Sequence, residues 1–242
     1  MKELTKEEID AQGCVEQGSL DWYRARLGKI TSSNVHFVMK APRATKANPN
    51  PEGFSDTAKG YLYQVAAERN LVEEFVNNDL YFQEYLDRVD ISNRSIRYGS
   101  ETEATAREVY AGITGNEVIE CGFVNHSEIS NYGDSPDGLI IDKEGSPIGA
   151  LEIKCPKPDT FIKYQDNIKD AASLKEVKPE YYWQCQSHCE CNNVAWCDFV
   201  VFDKMQRKGF ICIRIERNDE DIALMKERII LANAEIDKLI NE

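Results

Sequence analysis

Ser135-Pro136-Asp137-Gly138-Leu139 and, a short hairpin's length downstream, Leu151-Glu152-Ile153-Lys154-Cys155-Pro156 are the stretches whose reading organises this chain. Pro-Asp-Gly is a turn signal, and a strand-like run opens at Gly138. Residues two apart on a strand share a face, so Glu152 and Lys154 point together while Ile153 faces the core. If the chain turns between Asp137 and Glu152, Asp137 returns to the same edge of the sheet. Two carboxylates and an ammonium then meet there, a metal site built from a hairpin. Mg²⁺-assisted hydrolysis of a phosphodiester asks for that set: carboxylates to hold the ion and a cation beside the attacking water.

Working outward, strand-like segments fall at 117–124, 138–142 and 148–154, separated by turn residues. Before them, 99–110 has a helical pattern that stops at Gly112 or Gly115. After them, Pro179 opens a helix running to about Cys191, strands follow near 195–202 and 209–216, and a last helix covers about 219–240. Upstream, Ser19 is an N-cap for a helix starting at Leu20, a second helix is expected from Thr31-Ser32-Ser33 to about Met39, and a third over Thr57–Phe75. The order α-β-β-β-α-β-β-α implies a mixed α/β (α+β) fold with a central mixed sheet flanked by helices. The 242 residues read as a single domain, with a mobile loop near 41–56 and an acidic, aromatic insertion near 76–90 that continues as helix.

The net charge of −13 argues against a generic nucleic-acid coat. The charge is unevenly spread, however: from Asp21 to Lys46 there are six basic residues and one acidic, and from Glu68 to Asp90 seven acidic and two basic. A basic channel can hold DNA while the remaining acidic surface limits loose sticking. The chain opens with charged sequence and no signal-like apolar run, and no apolar stretch is long enough to span a bilayer, so it reads as cytoplasmic. Its eight cysteines then read as reduced thiols. Cys185, Cys189, Cys191 and Cys197 cluster around His188, but their spacing matches neither paired C-x-x-C ligands nor a ferredoxin pattern, so packing is the better reading. The three histidines, His36, His126 and His188, form no catalytic spacing and read as structural; Trp22, Trp183 and Trp196 read as core.

Several motifs in order resemble one family. Trp22, Arg26-Leu27-Gly28 and Ile30-Thr31-Ser32-Ser33 look like the opening motif of the phage-type recombination exonucleases, the lambda exonuclease and YqaJ group of the restriction-endonuclease-like superfamily. Tyr98-Gly99 with Glu103 resembles that group's helical acidic motif. The two stretches around Asp137 and Glu152 resemble its catalytic hairpin, and Tyr182, Gln184 and Gln186 its glutamine motif.

The resemblance implies a restriction-endonuclease-like core and a Mg²⁺-dependent exonuclease. It would digest one strand of double-stranded DNA 5′→3′ from its ends and leave 3′ single strands for phage-type recombination by annealing. Asp137, Glu152 and the backbone carbonyl of Ile153 would hold metal, two Mg²⁺ ions per site, with Mn²⁺ an expected substitute. Lys154 would orient the nucleophilic water and Glu103 would complete the cluster. Gln184 rather than Gln186 would reach the site, since neighbours two apart on a helix diverge by about 200°. Arg26, Ser33 and Ser135 match positions that hold a terminal 5′-phosphate. The implied partners are double-stranded DNA ends, a single-strand annealing protein and two further copies in a homotrimeric ring, in a bacterial host carrying the gene on a phage or prophage. The rivals are a restriction-like endonuclease, an iron–sulfur CRISPR-associated exonuclease and, from another class, an inactive DNA-end binding protein.

Overall fold

The computed structural model describes residues 15–46, 52–89 and 94–241, with backbone only for 94–101. The helices are α1 (Leu20–Arg26), α2 (Val35–Met39), α3 (Asp56–Arg69), α4 (Glu73–Asn77), α5 (Asp79–Arg88), α6 (Arg94–Thr114), α7 (Pro158–Asn167), α8 (Ala171–Val177), α9 (Pro179–Cys191) and α10 (Asp219–Asn241). The strands are β1 (Ile30–Thr31), β2 (Glu117–Ile119), β3 (Val124–Asn125), β4 (Tyr132–Asp134), β5 (Gly138–Ile141), β6 (Pro147–Lys154), β7 (Trp196–Phe202) and β8 (Phe210–Glu216). They form a mixed five-stranded sheet in the order β2-β5-β6-β7-β8 and a small sheet β1-β4-β3. This is a mixed α/β fold with helices flanking mixed sheets, as the element order implied.

β5 and β6 make the expected hairpin, with Gly138 opposite Leu151. β6 then pairs in parallel with β7, Lys154 beside Val201, and β7 antiparallel with β8. Residues 149–153 of β6 are buried on both faces, as a strand covered by helices on each side must be. Leu151 and Ile153 pack with Ala106 and Tyr110 of α6 on one face. Ala150, Phe199 and Val201 pack toward α9 on the other, and α10 closes the same core over α2, α3 and α9. Burying such apolar side chains is worth roughly 1.5–3 kcal/mol each, so this sandwich fixes the edge carrying Glu152 and Lys154. α6 is also pinned by polar contacts: Tyr110 Oη donates to Asp198 Oδ2 (2.7 Å), a buried carboxylate that Arg214 grips with two further bonds. Glu103 lies seven residues earlier on the same helical stripe.

Ser19 caps α1 as expected, its hydroxyl accepting from the Trp22 N–H. Gly28 follows at φ +68, where a Cβ would meet Arg69 Cγ at 2.8 Å, so a side chain there is strained and crowded. The helix expected from Thr31 does not start there. Ile30 and Thr31 form β1 beside Tyr132 and Gly133, and α2 begins at Val35. Tertiary bonds override local preference: Ser32 N–H donates to Gly133 O, and its hydroxyl meets that of Ser187. The helix expected over Thr57–Phe75 ends at Arg69 and resumes as α4. The 117–124 strand splits between two sheets, while β4, α7 and α8 had no counterpart in the sequence reading. Within the expected 41–56 loop, 47–51 lie outside the described residues, as does Asp90 of the acidic stretch whose helix is α5. Cys185, Cys189 and Cys197 are fully buried in the apolar core and Cys191 packs against it. Among the described residues no helix is long and apolar enough to cross a membrane.

The far end of α9 is tied down by Glu190. It accepts hydrogen bonds from His126 Nε2 (3.2 Å), Lys226 Nζ (2.8 Å) and Arg217 Nη2 (2.5 Å). The His126 bond, outweighing the opposing effect of burial, and the two cations hold the Glu190 carboxyl far below the usual carboxylate range. A depressed folded-state pKa contributes stability above the unfolded value and loses it as pH falls. Glu190→Gln is therefore expected to lower the melting temperature by roughly 2–8 °C at neutral pH, with the gap from wild type closing below about pH 4. Scanning calorimetry across pH measures it; a gap that stays constant would remove the charge from the explanation.

Candidate active site

The hairpin brings Asp137 against β6 by two backbone-anchored bonds. Its N–H donates to Leu151 O (3.0 Å), and the Ile153 N–H donates to its Oδ2 (2.6 Å). The carboxylate is thus stapled beside Glu152, which is 0% exposed. Glu152 Oε2 accepts from Gln184 Nε2 at 2.9 Å and from His188 Nε2 at 2.6 Å, while Oε1 faces the Lys154 ammonium as an ion pair. Lys154 in turn lies 5.0 Å from the centroid of the Tyr181 ring.

The electrostatics follow from crowding in a dry place. Burial, then the neighbouring carboxylates of Glu152 and Glu103, push Asp137 well above the usual carboxylate range. Burial also drives Glu103 up; Lys154 pulls against it and Glu152 adds to it. Glu152 goes the other way, because Lys154 and His188 outweigh its burial. For Lys154 burial favours the neutral amine, but Glu152 and Asp137 outweigh it and keep the side chain cationic. Asp137, Glu152, Lys154 and Glu103 therefore lie within electrostatic reach of one another.

Gln184 reaches this group, whereas Gln186 turns away to donate to Glu216 O and accept from the Asn218 N–H. His188 also meets this group. The ring is fully buried, bonded to Glu152 through Nε2 and to Asp134 Oδ1 through Nδ1 at 2.7 Å. Burial disfavours the imidazolium, but carboxylates on both sides outweigh it and raise its pKa well above the ordinary value. Asn192 completes the chain by donating to Asp134 Oδ2. Gln184, His188 and Asn192 recur every fourth residue, the first two on one face of α9 and the third at its C-cap. That spacing was the available signal, and the nearby cysteines masked it. Asp134 carried a fainter one, three residues before Asp137.

A second cluster joins the expected anion-binding residues. Arg26 Nη2 donates to Ser33 Oγ (3.3 Å), and its guanidinium lies 4.0 Å from the centroid of the Trp22 ring. Trp22 Nε1 donates to Ser135 Oγ (2.9 Å). Trp22, expected in the core, is half-buried and links Arg26 to the Ser135 turn; Trp196 is also half-buried, with Arg214 over its ring, while Trp183 is core. Burial lowers the pKa of Arg26, and among the described residues no carboxylate is ion-paired with it. Arg26 is thus a desolvated cation bonded to one hydroxyl and joined through Trp22 to a second.

A sequence profile of the YqaJ-like viral recombinase domain matches residues 21–194, which hold both clusters. The chain belongs to that family. Its fold is similar to an alkaline exonuclease, LHK-Exo, from Laribacter hongkongensis, with 31% identity over 92% of this chain and 95% of that one, and a TM-score of 0.71. The same holds for that protein's complex with dAMP. A phage-related exonuclease from Haemophilus somnus 129PT shares the fold at a TM-score of 0.62 and 18% identity, over 88% of this chain and 95% of that one. No match was found among curated protein sequences.

Breaking a buried charge pair from one side leaves the other charge uncompensated, at a cost of about 3–5 kcal/mol. His188→Ala is expected to lose that much stability in urea unfolding. A loss below about 0.5 kcal/mol, the size of an ordinary surface change, would contradict the bridging role.

Proposed function

We propose that the chain is a Mg²⁺-dependent 5′→3′ exonuclease that degrades one strand of double-stranded DNA from its ends and leaves 3′ single strands for recombination by strand annealing. The observation that carries this reading is the meeting of Asp137, Glu152 and Lys154 at one sheet edge, with Glu103 within electrostatic reach. Membership of a viral recombinase family supports it, as does the likeness to an alkaline exonuclease. The dAMP bound to that relative is the kind of product that release of single nucleotides yields.

The donor chemistry fits Mg²⁺. Among the described residues no three His, Cys, Asp or Glu side chains form a ready metal-binding group. Asp137, Glu152 and the Ile153 carbonyl would be the protein's share, all hard oxygens. Mg²⁺ is commonly held by one or two carboxylates, with water and phosphate oxygens completing its shell. Burial and then like-charge crowding push Asp137 up, and a bound cation would relieve the crowding. When bound, the metal would polarise the scissile phosphate and make water a better nucleophile.

The side chains have distinct tasks. Gln184 and His188 hold Glu152 Oε2, which fixes the carboxylate and turns Oε1 toward the reacting centre. Lys154 orients the attacking water and offsets charge on the phosphate. Glu103 balances Lys154 from α6. Arg26, with Ser33 and Ser135, takes the terminal 5′-phosphate, and this anchor gives the enzyme its direction. A homotrimeric ring would keep an acidic protein on its DNA, and a single-strand annealing protein would take up the 3′ strand.

Linear duplexes labelled at either end, with and without 5′-phosphates, test the reading across a Mg²⁺ titration. Release from the 5′ end that stops with EDTA is expected, with Mn²⁺ able to replace Mg²⁺. Asp137→Ala and Lys154→Ala are expected to lower the rate at least about 100-fold while the protein stays folded; full activity in either overturns the site. Arg26→Ala is expected to erase a preference of roughly tenfold or more for 5′-phosphorylated ends. Equal digestion of both end types by wild type would remove the anchor, and cleavage of closed circular DNA would favour an endonuclease.

A further inference from the structure

The hairpin between β7 and β8 has a built turn that none of these tasks uses. Phe202 pairs with Phe210, and the Asp203 N–H donates to Gly209 O (2.9 Å). The Gln206 N–H donates to Asp203 O, and the Met205 N–H to Asp203 Oδ1. Asp203 is only 2% exposed, so the turn is braced from within. A Cβ at Gly209 would fall 1.9 Å from Asp203 O, so this closure requires glycine.

On this rigid base Lys204, Arg207 and Lys208 are all exposed, with Met205 beside them. Among the described residues no carboxylate is ion-paired with any of the three cations. The three cations thus gather on one turn of a chain whose net charge is −13.

Position gives the turn its meaning. β6 and β7 run parallel with Lys154 beside Val201, so Asp203 stands two residues past the level of Lys154 at the same sheet edge. With strands ~4.8 Å apart and a rise of ~3.3 Å per residue, the turn begins about 8 Å from the Lys154 backbone. The turn therefore borders the candidate active site.

We infer that Lys204, Arg207 and Lys208 form a phosphate-binding finger that grips the backbone of the substrate DNA next to the strand being cut. This rests on the nuclease reading and adds a contact surface to it. Lysine and arginine bind phosphate as charges, releasing condensed counterions, so the finger acts on affinity without regard to sequence.

The test is DNA binding in EDTA, by fluorescence anisotropy over a salt series, using duplex and single-stranded probes. The triple variant Lys204→Gln/Arg207→Gln/Lys208→Gln is compared with wild type and with Lys143→Gln, which alters an exposed cation in the β5–β6 turn at the opposite end of the sheet. The triple variant is expected to bind at least tenfold more weakly, with a slope of log affinity against log salt shallower by about 2–3, and to raise KM for nucleotide release. Lys143→Gln is expected to leave the slope as it is. A loss seen with duplex alone places the finger on paired DNA, and one seen with single strands alone places it on an unpaired strand; either supports the assignment. Melting temperatures equal to wild type certify the fold. An unchanged affinity and slope, in a protein whose wild type binds and degrades DNA, overturns the finger alone. A wild type that neither binds DNA nor releases nucleotides overturns the nuclease reading and the finger with it.

Discussion

A carboxylate that is completely buried and still charged is the constraint on which the rest of this structure depends. Glu152 sits fully buried near the end of the central strand β6, where an unpaired charge costs several kcal/mol. Three donors offset that cost: Lys154 on its own strand, and Gln184 and His188 from α9. The arrangement keeps Glu152 ionised in a place that would otherwise protonate it. Asp137 has fewer donors and more neighbouring negative charge, and its pKa moves the opposite way. Two carboxylates with divergent proton affinities thus meet at one sheet edge.

Most of the fold can be understood as support for that edge. The β5–β6 hairpin sets Asp137 one backbone hydrogen bond from Ile153. The Asp198–Tyr110–Arg214 contact holds α6, and so Glu103, against the sheet. On the other face, Glu190 and its three donors lock the last turn of α9, while Asp134 and Asn192 fix the imidazole of His188. The small sheet has a separate task. By pairing β1 with β4, it carries the segment after Arg26 to the turn that bears Ser135. The Arg26–Ser33 pair and the Asp137–Glu152 cluster are consequently joined through one turn.

What was legible in the residues was what local chemistry encodes. Alternation in Glu152-Ile153-Lys154, the Pro-Asp-Gly turn, Ser19 as a cap and Pro179 at a helix start each act over a few positions, and each stands in the structure where the sequence placed it. The failures share one cause. Thr31-Ser32-Ser33 resembles a helix start, but Ser32 is committed to Gly133 and Ser187, more than 100 positions away. The partners of His188, Asp134 and Glu152, are likewise distant in the chain and belong to strands whose register no local pattern reveals. Trp22 was assigned to the core on side-chain type, whereas its indole N–H bonds across to Ser135.

The most direct measurement is Mn²⁺ binding by electron paramagnetic resonance, comparing wild type with Glu152→Gln and Asp137→Asn, which keep shape and remove one charge each. Saturable binding in wild type, lost or greatly weakened in both variants, is the expected result. Equal stoichiometry and affinity in all three proteins would contradict a divalent cation held between Asp137 and Glu152.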